Sequence, residues 1–228
     1  MKQNFQVLYS DEDIVVVDKP PHVFVHPAPG HEKGTLSEAL CKMFPQMRGV
    51  GSIERSGVVH RLDAQTSGVM IFALNETAYL KLRHDFESHK NIEKKYLAVL
   101  HGAPKPASGM LKAAIGRKSW DSKRMAIDGL DAKRSITYWQ VLGKNGNLAL
   151  VEFRIKTGRM HQIRVVAAHL GHPIAGDALY GDPKRDARMR IKPARVLLHA
   201  VEISFDHPRT DERMTFAAEP PADIIYAL

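Results

Sequence analysis

Two stretches of this 228-residue chain crowd acid, base and cation side chains together. The first is Gly57-Val58-Val59-His60-Arg61-Leu62-Asp63-Ala64-Gln65-Thr66-Ser67-Gly68. It sets an imidazole, a guanidinium and a carboxylate within four residues, beside Thr-Ser-Gly turn residues. A carboxylate at a strand-to-loop junction is oriented by the backbone yet open to a cleft, which suits a reacting group. The same pattern also fits a structural Asp capping the amides of Thr66 or Ser67, and spacing alone does not separate the two. The second stretch is Lys156-Thr157-Gly158-Arg159-Met160-His161-Gln162-Ile163-Arg164, continuing through His169-Leu170-Gly171-His172-Pro173-Ile174 to Gly176-Asp177 and Tyr180-Gly181-Asp182. His161 and Arg164 stand at i,i+3 on a predicted helix and share a face, with Arg159 just ahead. A solvated basic helix would look similar, but Gln162, Ile163 and Val165 make this one partly apolar, as a helix lining a cleft is.

The elements that must position these groups follow from periodicity and turn chemistry. Ile14 to Val17 reads as a short buried strand ended by Pro20-Pro21. Thr35 and Glu38 have capping-box spacing and open a helix with Leu36, Leu40, Met43 and Phe44 on one face. Val58-Val59 and Val69 to Leu74 are strands around the first stretch. Asn75 caps a helix running to about His89. Tyr96 to Leu100 is a further strand. Residues 107–134, rich in Lys, Arg, Asp and Gly, are the least regular part and read either as a mobile, partner-gripping loop or as an ordered hairpin. Ile136 to Leu142 and Leu148 to Ile155 alternate well enough to pair across a turn at residues 143–147. Met160 to Leu170 is a helix with Gly171 at its C′ position. Residues 183–195 form a basic loop, and Val196 to Phe205 with Met214 to Phe216 close the sheet. The order is not a regular βαβα alternation, so the expected class is α+β with a mixed, largely antiparallel sheet flanked by helices and loops.

Composition narrows the partners. Apolar residues make up 44%, enough for a substantial core, and the net charge is +8, which points to a polyanion such as nucleic acid. No apolar run reaches the ~18 residues of a membrane span, and the N-terminus lacks a secretory apolar segment. Cys41, the one cysteine, excludes an internal disulfide and a multi-cysteine zinc site, and it reads as a helix core residue. A soluble cytoplasmic protein is expected.

The motifs in order carry a resemblance. His60-Arg61-Leu62-Asp63 with Thr66-Ser67-Gly68 resembles the catalytic signature of the RluA-type RNA pseudouridine synthases. Thr157-Gly158-Arg159 with His161-Gln162-Ile163-Arg164 and Gly171-His172-Pro173-Ile174 is similar to that family's second signature. Lys94-Lys95-Tyr96 with Ala98 matches a third, Asp18-Lys19-Pro20 with Val25-His26-Pro27 the opening motif, and Leu197-Leu198-His199-Ala200 a late one. The resemblance covers roughly Val7 to Phe216. It departs at Val166, where the family usually has His, and in the lack of an N-terminal S4-type RNA-binding domain. Residues 1–228 are therefore expected to form a single catalytic domain of the pseudouridine synthase fold.

The resemblance implies isomerisation of uridine to pseudouridine in tRNA or 23S rRNA stem-loops. It assigns Asp63 as nucleophile, Arg164 as its charge partner and Tyr96 as the group stacked on the target uracil. His60, Arg61, Arg159, His161, Gln162 and Leu198 are implied to bind substrate, with Arg61 filling the space that the extruded base leaves. The reaction needs no cofactor, metal or nucleotide, and no membrane. A monomer is expected. Three other readings are weaker. An RNA-binding module would not need Asp63, Tyr96 and Arg164 together. A phosphotransferase lacks its Asp-Phe-Gly and glycine-rich loops, and the hydrolytic glycosidase design calls for a carboxylate pair.

Overall fold

The computed structural model describes residues 5–227, the side chain of residue 122 excepted. In chain order it contains β1 (Gln6–Ser10), β2 (Ile14–Lys19), α1 (Leu36–Met43), a 3-10 turn (Pro45–Met47), β3 (Ser67–Ala73), α2 (Glu76–Ser88), β4 (Glu93–His101), β5 (Ser108–Lys118), β6 (Asp121–Ile127), β7 (Leu130–Asn145), β8 (Leu148–Ile155), α3 (Gln162–His169), α4 (Pro183–Asp186), β9 (Leu198–Asp206), β10 (Arg213–Ala217) and α5 (Ala222–Ile225). No helix among the described residues is long and apolar enough to cross a membrane. The contacts divide the chain into two compact units, residues 1–93 with 200–219 and residues 94–199 with 220–228.

In the first unit β2 lies between β1 and β3, antiparallel to both, and β3 is followed by β9 and then β10. Ile14 pairs with Ala73 and Lys19 with Gly68, so the end of β2 lies beside the start of β3. Every residue of β3 is buried. That explains why both strands read as continuous apolar runs: each is covered on two faces. The helix signals hold. Thr35 Oγ1 accepts from the Glu38 amide while the Glu38 carboxylate accepts from the Thr35 amide, and Asn75 Oδ1 caps Ala78. Leu36, Leu40 and Cys41 are buried as expected, but Met43 is largely exposed because the helix ends there, before the 3-10 turn.

In the second unit the strand order is β4-β8-β7-β5-β6, with antiparallel pairing throughout. Asn145 pairs with Leu148, so the β7–β8 turn is only Gly146-Asn147, shorter than the sequence suggests. Residues 107–134 are an ordered structure, not a loop: β5 pairs with β7 from Ser108↔Gln140 onward and with β6 from Ile115↔Ile127 to Lys118↔Asp121. Helix α3 packs on this hairpin through Ile115, Val165 and Val166, with Leu111, Met125, Ile127, Leu170 and Tyr180 around them. Each fully buried aliphatic side chain there stabilises by roughly 1.5–3 kcal/mol. The expected basic loop at 183–195 starts with the short helix α4 and ends in a buried arginine. Arg195 makes a two-pronged pair with Asp223 (2.6 and 2.7 Å) and donates to the carbonyls of Val196 and Leu198, tying α5 to the start of β9.

Candidate active site

The first unit holds the His60–Asp63 stretch. Leu62 is buried and anchors it, Arg61 is exposed, and Asp63 is half-buried. The Thr66 amide donates to the main-chain carbonyl of Asp63 at 3.0 Å, a backbone bond that closes this turn. Gly68 then has φ +116, and a Cβ there would stand 2.2 Å from the Ala200 carbonyl oxygen, so only glycine lets the chain enter β3 at this point. The opening motif holds the turn from below. Lys19 is fully buried, and its ammonium donates to the carbonyls of Pro20 (2.8 Å), Val23 (2.9 Å) and Ala64 (3.1 Å). Three carbonyls match the three donors of an ammonium, and one of them belongs to the residue after Asp63.

His60 is built into the same frame. Its Nε2 accepts from the Ile71 amide at 3.1 Å, which requires that nitrogen to be unprotonated, and its ring stacks on Phe86 with centroids 4.6 Å apart. The geometry gives His60 a positioning task in this frame. His26 is buried nearby. Burial pushes its imidazole below the ordinary range; a bond to the Pro27 carbonyl opposes this, and the charges of Arg61 and Arg55 reinforce it. Elsewhere in this unit Asp11, Asp13 and His207 place ligand-type atoms within 4.8 Å of one another. Protein donors already occupy them: Tyr9, His207 and the amides of Asp13 and Ile14 on Asp11, Asn75 and Arg209 on Asp13. The cluster is a structural bracket.

The second unit holds Tyr96, Arg159, His161, Arg164 and Leu198. Tyr96 is buried on β4 opposite Phe153 and shares a face with Lys94 and Ala98. Lys94 is also buried. Burial lowers its pKa to about 8, and the Arg159 charge adds to the shift. Its amine lies against the Thr157-Gly158-Arg159 loop, since a Cβ on Gly158 would stand 3.6 Å from Nζ. Gln162 fixes this loop. Its amide oxygen accepts from Thr157 Oγ1 (2.8 Å) and the Arg159 amide (3.0 Å), and its nitrogen donates to the Ile136 carbonyl (3.1 Å) and Thr137 Oγ1 (3.0 Å). All four of its bonding positions are used within the protein, so Gln162 is a bracket between loop and sheet. Arg159 is half-buried, its Nε donating to the Arg134 carbonyl. Leu198 is buried, its carbonyl held by Arg195.

Arg164 is tightly held. Its Nε and Nη2 grip both oxygens of Asp177, each at 2.8 Å, and both side chains are buried. The Asp177 carboxylate also accepts from the amides of Leu179 and Tyr180. A two-pronged, charge-assisted pair of this kind fixes the plane of the guanidinium as well as its position. Tyr180 packs its ring under Arg164, 5.1 Å from Cζ, and its hydroxyl bonds His161 Nδ1 (2.8 Å) and the Met125 amide (2.7 Å). His161 occupies the left-handed region, φ +55, at the N-cap of α3. Val166, where the resembled family usually has His, is fully buried in the α3–hairpin cluster and faces no solvent. Sequence reasoning assigned no task to Lys19, Asp177, Tyr180 or Arg195. The run from Gly176 to Asp182 was the available signal for two of them, because a buried arginine needs a carboxylate and an Asp lies thirteen residues on.

Comparison with known proteins agrees with the motif order. A family model described as RNA pseudouridylate synthase matches residues 13–169. An uncharacterized RNA pseudouridine synthase of Synechocystis is 36% identical over 218 residues, covering 95% of this chain and 65% of that protein. The ribosomal large subunit pseudouridine synthase D of Zymomonas mobilis is 35% identical over 225 residues, covering 96% of this chain and 70% of that protein. Among solved structures, human RNA Pseudouridylate Synthase Domain Containing 1 superposes with a TM-score of 0.77 at 30% identity, over 96% of this chain and 84% of that one. The chain thus spans about two thirds of the length of these two curated relatives.

Proposed function

Because the chain belongs to the RNA pseudouridine synthase family, we propose that it isomerises specific uridines to pseudouridine in structured RNA, with Asp63 as the nucleophile. The reaction breaks the bond from uracil N1 to the ribose, turns the base in the site and joins C5 to the same ribose carbon, releasing the C5 proton. Oxidation state and composition do not change, so neither cofactor nor metal is required. Asp63 must be ionised to attack. Arg164, its plane fixed by Asp177 through one edge of the guanidinium, supplies the positive charge that keeps the carboxylate ionised. Tyr96 stacks on the uracil and assists removal of the C5 proton. Arg61, Arg159 and His161 hold RNA, with Arg61 entering the stack as the target nucleotide leaves it, a step costing ~a few kcal/mol. Leu198 packs against the base. Residues 1–228 work as one catalytic domain, monomeric and cytoplasmic.

The observation that carries this reading is the Asp63 turn. The Thr66 amide on the Asp63 main-chain carbonyl and the Lys19 ammonium on the Ala64 carbonyl fix the backbone on which Asp63 is carried. The similarity to a ribosomal large subunit enzyme makes 23S rRNA the first substrate to test, with tRNA stem-loops second. The test is carbodiimide mapping of pseudouridine in 23S rRNA and tRNA transcripts incubated with the protein and a chelator, without added nucleotide. Modification at discrete uridines is expected. A requirement for added metal or nucleotide, or a modified product other than pseudouridine, would contradict the proposal.

A further inference from the structure

The β5–β6 hairpin ends in a feature that the proposed chemistry does not use. Its register, Lys118↔Asp121, leaves Ser119-Trp120 as a two-residue tip. Neither tip residue has a positive φ, so the turn demands no particular side chain and does not account for a tryptophan there. Trp120 is 79% exposed, the most solvent-exposed aromatic side chain among the exposed large hydrophobics of the described residues. Lys118 Nζ lies 4.8 Å from the ring centroid and steadies one face of the indole. Residues 117–124 carry Arg117, Lys118, Lys123 and Arg124 against the single acid Asp121. An isolated exposed tryptophan has several uses. One held by a lysine within a cationic tip has the composition of a nucleic-acid stacking platform, where bases stack on the ring and the cations meet phosphates.

The hairpin is also fixed at its root. Tyr180 bonds the Met125 amide on β6 and His161 at the start of α3, and Ile115 on β5 is buried against Val165 and Val166. From Met125 to Asp121 the strand extends about 13 Å. The tip is therefore carried by the helix that bears Arg164, at a set distance beyond it.

We propose that Trp120 stacks on an unpaired base of the substrate RNA and that the hairpin is a recognition arm selecting loop over duplex. The inference rests on the reading of the chain as an RNA-modifying enzyme, but its test does not depend on turnover. The chain has two tryptophans, and the other, Trp139, is buried with its indole N–H on the Pro106 carbonyl. Tryptophan fluorescence is therefore read on the whole protein with short oligoadenylate and with its oligouridylate duplex. Oligoadenylate is expected to quench the wild type and not Trp120→Phe, whose emission comes from Trp139 alone. Trp120→Ala is expected to bind it about 5- to 150-fold more weakly, the range of a lost base stack, with Trp120→Phe in between. On 23S rRNA the loss is expected in KM. Thermal unfolding of both variants checks that the fold is intact. Equal binding by Trp120→Ala, or equal quenching by strand and duplex, would overturn the proposal. Normal turnover with unchanged KM in Trp120→Ala would sink the stacking idea alone. Quenching without turnover by the wild type on any RNA would sink the proposed reaction and leave the stacking in place.

Discussion

Asp177 is the residue whose removal is expected to cost the fold most among those around the site. It is 1% exposed and satisfies the Arg164 guanidinium along one edge. Deleting one member of a buried pair leaves the other charge uncompensated, at about 3–5 kcal/mol. For a chain of this size Asp177→Ala should lower Tm by about 6–20 °C, read by calorimetry. A drop of a degree or less would mean that Arg164 is held by something else. Lys94 provides a second test through pH. Its folded pKa is about 8 against an ordinary 10.5. Between those values the folded state has lost the proton while the unfolded state keeps it, so stability rises with pH across that window. Below about pH 8 both states hold the proton and this slope is absent. Urea unfolding from pH 7 to pH 10 should show the rise, and Lys94→Met should remove it.

Among the elements, the β5–β6 hairpin and α3 stand or fall together. Ile115 is 2% exposed at their contact. Ile115→Ala should destabilise by about 2–5 kcal/mol, and Tyr180→Phe, which removes two hydrogen bonds but little apolar surface, should speed amide exchange at Met125 while leaving α2 unaffected. Unchanged exchange at Met125 would show that Tyr180 does not pin the strand. This hairpin is also where the sequence was least legible. Strands β2, β3 and β8 announce themselves through apolar runs or alternation, and Thr35 and Asn75 mark helix starts by local hydrogen bonding. In contrast β5 and β6 are rich in Gly, Ala, Lys and Arg, poor strand formers. They are ordered by the pairing of β5 with β7 and by packing on α3, which are non-local causes. Site legibility divides in the same way. Asp63, Tyr96 and Arg164 stand in recognisable runs, whereas Lys19 and Tyr180 act through partners 45 and 55 residues away along the chain.

For the whole molecule, a charge of +8 and the cationic tip of the hairpin should make RNA affinity fall steeply with salt. Neutralising about six phosphates would weaken binding roughly 10³-fold between 50 and 200 mM salt. Filter binding across that range reads the slope, and a flat profile would remove the electrostatic part of the account. The central claim is that Asp63 performs the chemistry. It is tested most directly by tritium release from [5-³H]uridine-labelled 23S rRNA and tRNA, comparing wild type with Asp63→Asn at equal RNA binding and equal Tm. Release by the wild type alone is expected. Release by Asp63→Asn at a comparable rate would show that another group attacks the nucleoside and that Asp63 only shapes its turn.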